Sequence, residues 1–265
     1  MISNYDEIIN IDSLKESFST FKNSKPFEHC YVDNFFNDNI AKNLEEEFPV
    51  YESDVWHGYN NPLEVKKVCN NWNIFPAITY SVFSILSSQE FTSYLSQLSG
   101  ISPLYPDIGL NGAGWHIHRK GGKLNTHLDY SIHPKRGLLR KINLIVYLNS
   151  NWKDEWGGSL GLWDQDPNDK SICGELIKKI PTLYNRGVFF DTVDSWHGLP
   201  EPLTCPDNEY RKSIAVYYLT TPSESHSDRG KALFSPTDDQ KGDEEIKKLI
   251  KQRSSIQNAN KVYNK

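Results

Sequence analysis

The sequence predicts a mainly β protein with flanking helices, built around an antiparallel barrel or sandwich. Three observations carry this prediction. Short strand-like runs crowd residues 123–132, 138–149, 159–163, 176–180, 187–190, 196–199 and 212–220. Turn signals rather than helices separate them: Gly121-Gly122, Pro134, Gly157-Gly158, Asp166-Pro167 and Pro206-Asp207. Helical periodicity is confined to the two ends of the chain, and many short strands without intervening helices suit an antiparallel architecture.

Taken in order, residues 27–32 read as a strand that ends in the turn Asp33-Asn34-Phe35-Phe36. Asn37 or Asp38 then caps a helix through Glu47, with Ile40, Leu44 and Phe48 on one face and Pro49 as its stop. A second helix starts at Ser87, where Ser87 and Glu90 have capping-box spacing. Phe91, Tyr94, Leu95 and Leu98 form its packing stripe, and Gly100 ends it. A last helix opens on Asp243, Glu244 and Glu245 and continues through Lys247, Lys248 and Lys251, charges that suit the helix dipole. Ile246, Leu249 and Ile250 make its buried stripe, and its lysines make a solvated face. The expected organisation is one domain over residues 1–265. It has a mostly helical support over 1–104, a β-barrel catalytic core over 105–221 and a helical tail over 222–265.

The chain has 265 residues and a net charge of −5, with 12% aromatic residues, which argues for a packed core and against disorder. A general nucleic-acid binder would show a basic stripe, and none is evident. The most apolar run, residues 142–148, is too short to span a bilayer and is interrupted by Asn143. The start, Met1-Ile2-Ser3-Asn4-Tyr5-Asp6-Glu7, does not resemble an export signal. Cys30, Cys69, Cys173 and Cys205 are scattered without C-x-x-C spacing, as in reduced thiols of a cytoplasmic protein. No oligomeric state is indicated.

The informative residues are His127, Asp129 and His197. Side chains alternate along a strand, so His127 and Asp129 in His127-Leu128-Asp129 project to one side. His197 begins a later strand in Asp194-Ser195-Trp196-His197-Gly198. Two imidazoles and one carboxylate form the facial triad that suits Fe(II) and leaves coordination positions open. Arg211 and Ser213 share one face of the apolar strand that follows, and Lys212 takes the other. A buried arginine requires an anion, and its planar fork fits a carboxylate bidentately.

With these residues the chain resembles the 2-oxoglutarate/Fe(II)-dependent dioxygenases, in particular their prolyl-hydroxylase-like branch. The family pattern is H-x-D, a distal His, and a basic residue shortly beyond, here His127, Asp129, His197 and Arg211. The run Tyr147-Leu148-Asn149, Trp152, Gly157-Gly158-Ser159-Leu160 is similar to the Y-L-N…W…G-G-x-L run of that branch. The resemblance covers roughly residues 105–220. It implies a double-stranded β-helix (jelly roll), Fe(II) held by the triad, and 2-oxoglutarate as cosubstrate, with ascorbate as a reductant. It implies that Tyr147 donates to the 2-oxoglutarate carboxylate held by Arg211 and Ser213, and that Leu160 lines its pocket. The implied activity is hydroxylation of an unactivated C–H bond of a small-molecule or peptidyl substrate by O2, with release of succinate and CO2. A prolyl residue is the family-level acceptor. Asp129 is a carboxylate, whereas related halogenases carry a small residue there.

The chain also departs from the pattern. Where the branch has a tyrosine ahead of H-x-D, this sequence has Trp115-His116-Ile117-His118-Arg119. His118, by its spacing, or His116 on the same face is the expected cosubstrate or substrate contact, with Trp115 packed outside; a solvated strand edge is the alternative reading of the pair. His133 reads as a loop residue, Asp191 and Asp194 as turn carboxylates, and Asp194 also as a partner to a ligand. Two other readings stay open: a ligand-binding barrel without catalysis, and a zinc hydrolase using the same three ligands.

Overall fold

A computed structural model describes residues 4–223 and 229–255. The strands, in chain order, are β1 (His29–Val32), β2 (His57–Asn61), β3 (Glu64–Cys69), β4 (Tyr105–Pro106), β5 (Gly114–His118), β6 (Lys123–Leu124) and β7 (His127–Leu128). They continue as β8 (Leu139–Tyr147), β9 (Leu160–Gln165), β10 (Cys173–Ile180), β11 (Gly187–Asp191), β12 (Trp196–Gly198), β13 (Arg211–Thr220) and β14 (Leu233–Phe234). The α-helices are α1 (Ile11–Phe18), α2 (Asp38–Glu46), α3 (Ala77–Leu86), α4 (Gln89–Ser99) and α5 (Glu244–Ser254).

One sheet of nine strands runs β1-β11-β8-β13-β5-β3-β2, with β4 and β6 attached, and a second of five runs β10-β9-β12-β7-β14. Residues of both sheets line one cavity, as in a double-stranded β-helix. Alternation along the two long central strands sorts the chemistry. Ile142, Leu144 and Val146 of β8 and Ile214, Val216 and Tyr218 of β13 point outward into the main core, where Leu14, Phe18, Phe83, Phe91 and Leu95 of the helices cover them. Asn143, Ile145, Arg211, Ser213, Ala215 and Tyr217 point into the cavity. The helices thus hold the large sheet from behind.

Most expected elements appear within a residue or two. The helix expected at Ser87 starts one residue later: Ser88 is the N-cap and accepts from the Phe91 amide at 3.1 Å. Gly100 closes it in the left-handed region, at φ 68°. Helix α2 begins after Asn37, whose side chain makes no cap bond and instead donates to the Glu7 carbonyl at 2.7 Å. The expected strand 123–132 is broken into β6 and β7, which leaves Asp129 just beyond the strand. Asn125, at the break, donates its side-chain amide to Gln240 at 2.6 Å. The hairpin β2–β3 lies inside the segment read as mostly helical. Its first strand, His-Gly-Tyr-Asn-Asn, carries no apolar alternation to betray it.

All four cysteines are unpaired. No helix among the described residues is long and apolar enough to cross a membrane. Residues 1–3, the start of the segment read for an export signal, lie outside the described residues.

Strand β5 crosses close to the end of β3 at Gly114, where φ is 90°. A Cβ there would lie 2.9 Å from the Asn70 Cα and closer still to the Cys69 carbonyl. Gly114→Ala is therefore expected to destabilise the fold by about 2–4 kcal/mol, read as a fall in the urea midpoint. An unchanged midpoint would show that β5 is free to shift there.

Candidate active site

Strands β7 and β12 are neighbours, and His127 and His197 face each other in register. The ring centroids are 4.4 Å apart. Asp129 follows immediately after β7, and one ligand atom from each of the three residues lies within 4.8 Å of the other two. The Nε2 atoms of His127 and His197 stand 3.6 and 3.9 Å from the Asp129 carboxylate. Each imidazole is fixed from behind. Nδ1 of His127 donates to the Asn125 carbonyl at 3.0 Å, and Nδ1 of His197 donates to that of Ser195 at 2.9 Å. A carbonyl can only accept, so Nδ1 carries the proton and the Nε2 lone pair turns towards Asp129. Buried imidazole lone pairs and a carboxylate converging on one point are the donor set of a divalent first-row metal, and the carbonyl anchors are the support such ligands need.

Charge is managed in the same way. Burial alone would push the Asp129 carboxyl up, but His127, the charges of His197 and Arg140 and their proximity hold it well below the usual range. Burial, then repulsion from His127, lowers His197 to about 4, so it is a neutral ligand at pH 7. The Tyr217 hydroxyl donates to Asp129 Oδ2 at 2.8 Å. The Arg140 guanidinium lies 3.8 Å from the same oxygen. It is sandwiched between the rings of Tyr130 and Tyr217, 3.6 and 3.7 Å from their centroids.

The same cavity, of roughly 310 Å³, also contains Arg211, His118, Ser213 and Leu160. Arg211 is 4% exposed. Its Nε donates to the Gly158 carbonyl at 2.8 Å, and its guanidinium lies 4.8 Å from the centre of the Tyr147 ring. Gly158 sits at φ 87°, and a Cβ there would meet Arg211 Cδ at 2.8 Å, so the Gly157-Gly158 pair makes room for the arginine. Strand β5 places His118 directly opposite Arg211, and β8 places Tyr147 opposite Ser213. The Tyr147 hydroxyl and both ring nitrogens of His118 are buried without a hydrogen-bond partner. Buried donors left without acceptors each cost about 1–3 kcal/mol, and here they gather beside a buried cation. That combination fits a carboxylate.

Each residue expected at the site can now be placed. His127, Asp129 and His197 converge. Arg211, Ser213, His118 and Leu160 line the cavity, and Tyr147 packs behind Arg211. His116 joins His118 on the cavity side, whereas Trp115 packs into the core against Phe48 and Phe75. Lys212 points away, its Nζ 5.8 Å from the Phe48 ring. His133 pairs with Asp107 at 3.3 Å, and Asp191 pairs with Lys141. Asp194 pairs with Arg229 at 3.3 Å, and Arg229 Nε in turn donates to the Asp129 carbonyl at 2.8 Å.

Arg140, Tyr130 and Tyr217 escaped the sequence reading. Tyr217 was legible in principle, because it continues the Arg211–Ser213 alternation. Arg140 was not. A register shift between Tyr218 and Leu219 displaces the pairing, so Arg140 faces the same cavity as Asn143 despite the wrong parity.

The two histidines of β5 set a pH dependence. Burial, then the charges of Lys66 and Arg211, lowers His116 from 6.5 to about 3, and His118 moves in the same direction. The unfolded chain therefore takes up protons that the folded chain refuses. The stability is complete above pH 6.5 and is lost as pH falls from there towards 3. From pH 7 to pH 5 the loss due to His116 is about 2 kcal/mol. Urea midpoints should fall over that interval, and His116→Gln should make the fall shallower by about that amount. An equal fall in the variant would contradict the assignment.

Comparison with known proteins agrees with this geometry. Residues 113–220 match the family described as the 2OG-Fe(II) oxygenase superfamily. Prolyl 3-hydroxylase OGFOD1 of Mus musculus is 28% identical over 196 residues, 73% of this chain and 33% of that protein, so the chain spans about a third of that relative's length. A prolyl 4-hydroxylase structure from Phytophthora capsici superposes with a TM-score of 0.56 at 19% identity, covering 96% of this chain and 77% of that one. A prolyl hydroxylase from Trichoplax adhaerens, solved with a hypoxia inducible factor peptide fragment, gives 0.52 at 17% identity, covering 78% and 89%. At such identities the structures attest the fold alone. The family match spans β5 to β13, and the three converging ligands and Arg211 all fall inside it. Residues 113–220, which carry all of these groups, thus resemble the 2OG-Fe(II) oxygenase superfamily.

Proposed function

We propose that the protein is an Fe(II)- and 2-oxoglutarate-dependent dioxygenase that hydroxylates a C–H bond, with a prolyl residue of a peptide or protein as the acceptor. One observation carries this reading: a single cavity has three converging metal-ligand atoms and, on another wall, a buried guanidinium beside unsatisfied donors. His127, Asp129 and His197 would hold Fe(II). Arg211, Tyr147, Ser213 and His118 would hold the far carboxylate of 2-oxoglutarate, with Leu160 as an apolar wall. Bound together, the metal and cosubstrate couple hydroxylation by O2 to conversion of 2-oxoglutarate into succinate and CO2, with ascorbate keeping the iron reduced.

The chain's own part is positional. The carbonyls of Asn125 and Ser195 orient the two imidazoles. Tyr217 donates to one carboxylate oxygen of Asp129 and so fixes its rotation. Arg211 is held from behind by Gly158, with its fork free to receive a carboxylate. A zinc hydrolase would use the triad but gives no role to the buried Arg211–Tyr147 wall.

The prolyl acceptor is supported by the mouse prolyl 3-hydroxylase relative. A single domain is supported by the main core, which the helices of residues 11–99 share with β8 and β13. A cytoplasmic setting is supported by the four unpaired cysteines, three of them buried.

Removing one partner of a buried charge-assisted pair costs about 2–5 kcal/mol. Arg211→Ala should therefore raise the 2-oxoglutarate concentration for half-maximal turnover by at least about tenfold, while Lys212→Ala changes it little. Asp129→Ala should abolish turnover and keep the circular dichroism of the folded chain. The reverse ranking of Arg211 and Lys212, or turnover in Asp129→Ala, would overturn the reading. A peptide screen for stimulated 2-oxoglutarate consumption, followed by mass spectrometry for the gain of one oxygen, identifies the substrate.

A further inference from the structure

The two metal-ligand histidines are supported on their ring faces by different parts of the chain. His197 packs against Phe190 of β11, with ring centroids 4.8 Å apart. His127 packs against Phe234 of β14, stacked at 5.2 Å and 22°. Phe190 lies within the region matched by the family. Phe234 lies beyond it, in the segment 229–255.

That segment is strapped across the site by a series of buried contacts. Strand β14 pairs with β7, and Phe234 is in register with His127 itself. The Ser235 amide donates to the Thr126 carbonyl at 2.8 Å. Gln240 accepts from Asn125 at 2.6 Å and donates to the Pro62 carbonyl at 2.8 Å. Helix α5 seats Ile246 beside Leu63 and Phe234. Arg253, near its end and 3% exposed, ion-pairs with Glu64 of β3, which is 2% exposed. Lys66 adds a second cation 3.1 Å from the same carboxylate. The Arg253 guanidinium then lies 4.7 Å from the centre of the Phe234 ring. A continuous stack runs from Glu64 through Arg253 and Phe234 to His127.

We propose that Phe234 is a positioning residue for the metal site. It sets the ring plane of His127, and the Glu64–Arg253 pair locks it in place, so seating of the strap and metal binding are coupled. The Nδ1 bond to Asn125 leaves the imidazole free to rock about that bond, and a flat aromatic face removes this freedom. Outer residues that orient ligands typically change metal affinity by about 10–100-fold. Coupling is reciprocal, so a bound metal must in turn hold the strap more firmly. The proposal rests on the assignment of His127, Asp129 and His197 as ligands.

Calorimetric titration of the full chain with Mn(II), without O2 or substrate, tests it. The wild type should bind one equivalent and Asp129→Ala none. Phe234→Ala should bind at least about tenfold more weakly, Phe234→Tyr should return to within about twofold of wild type, and Arg253→Met should fall between them. Mn(II) should also slow amide exchange at residues 233–235 in the wild type and leave it unchanged in Asp129→Ala. A residue that only contributes packing would lower the melting temperature without moving the Mn(II) affinity of the folded fraction. If Phe234→Ala does not fold, Arg253→Met and the wild-type exchange experiment make the same comparison. Wild-type affinity in the folded Phe234 and Arg253 variants, or exchange at 233–235 indifferent to Mn(II), overturns the positioning role alone. Absence of Asp129-dependent binding in the wild type overturns the ligand assignment, and this inference with it.

Discussion

The structure depends on the burial of one carboxylate. Asp129 is 7% exposed, and an uncompensated charge at such a place costs several kcal/mol. The fold compensates it from distant parts of the chain, with the Tyr217 hydroxyl from β13 and the Arg140 guanidinium from β8, and brings two imidazoles from β7 and β12 beside it with their lone pairs converging on the same point. Each of these groups has its own support, in the carbonyls behind the imidazoles and the aromatic rings on both sides of Arg140. Much of the cavity wall is built around the requirement that this carboxylate stay ionised and oriented.

The large sheet makes this arrangement compatible with a stable core. Period-two alternation gives β8 and β13 an apolar outer face against the helices and an inner face that holds Asn143, Arg211, Ser213 and Tyr217. The polar inner face carries unsatisfied donors at Tyr147 and His118, a cost that a ligand with acceptor oxygens relieves. The outer face carries the compensating apolar burial. Stability and binding are thus written on opposite sides of the same strands, which is why Arg211 and Lys212, adjacent in sequence, have unrelated surroundings.

This division explains what could be read in advance. Two ligands spaced by one residue, a third on a later strand and an Arg-x-Ser pair on an apolar strand are local patterns, and they pick out residues that the fold brings to one cavity. The inference that His127 and Asp129 share a strand reached the right cavity by an imperfect route, because β7 ends at Leu128. Arg140 was hidden by a register shift that inverts its parity. Phe234, Arg253 and Glu64 were hidden because their meaning is relational: the phenylalanine matters through a ring contact with His127, and the arginine through a hairpin far upstream. The hairpin itself was missed because β2 is polar along its length. Local periodicity reports which way a side chain faces, but not which distant segment it meets.

The central claim is that one cavity joins a redox-competent metal to a dicarboxylate. It is tested most directly by following 2-oxoglutarate and succinate in the purified protein loaded with Fe(II), ascorbate and O2, beside the same protein loaded with Zn(II). The account predicts succinate formed mole for mole with 2-oxoglutarate consumed in the Fe(II) sample, and none with Zn(II). No succinate in the Fe(II) sample, or a hydrolytic activity that appears with Zn(II) instead, would contradict it.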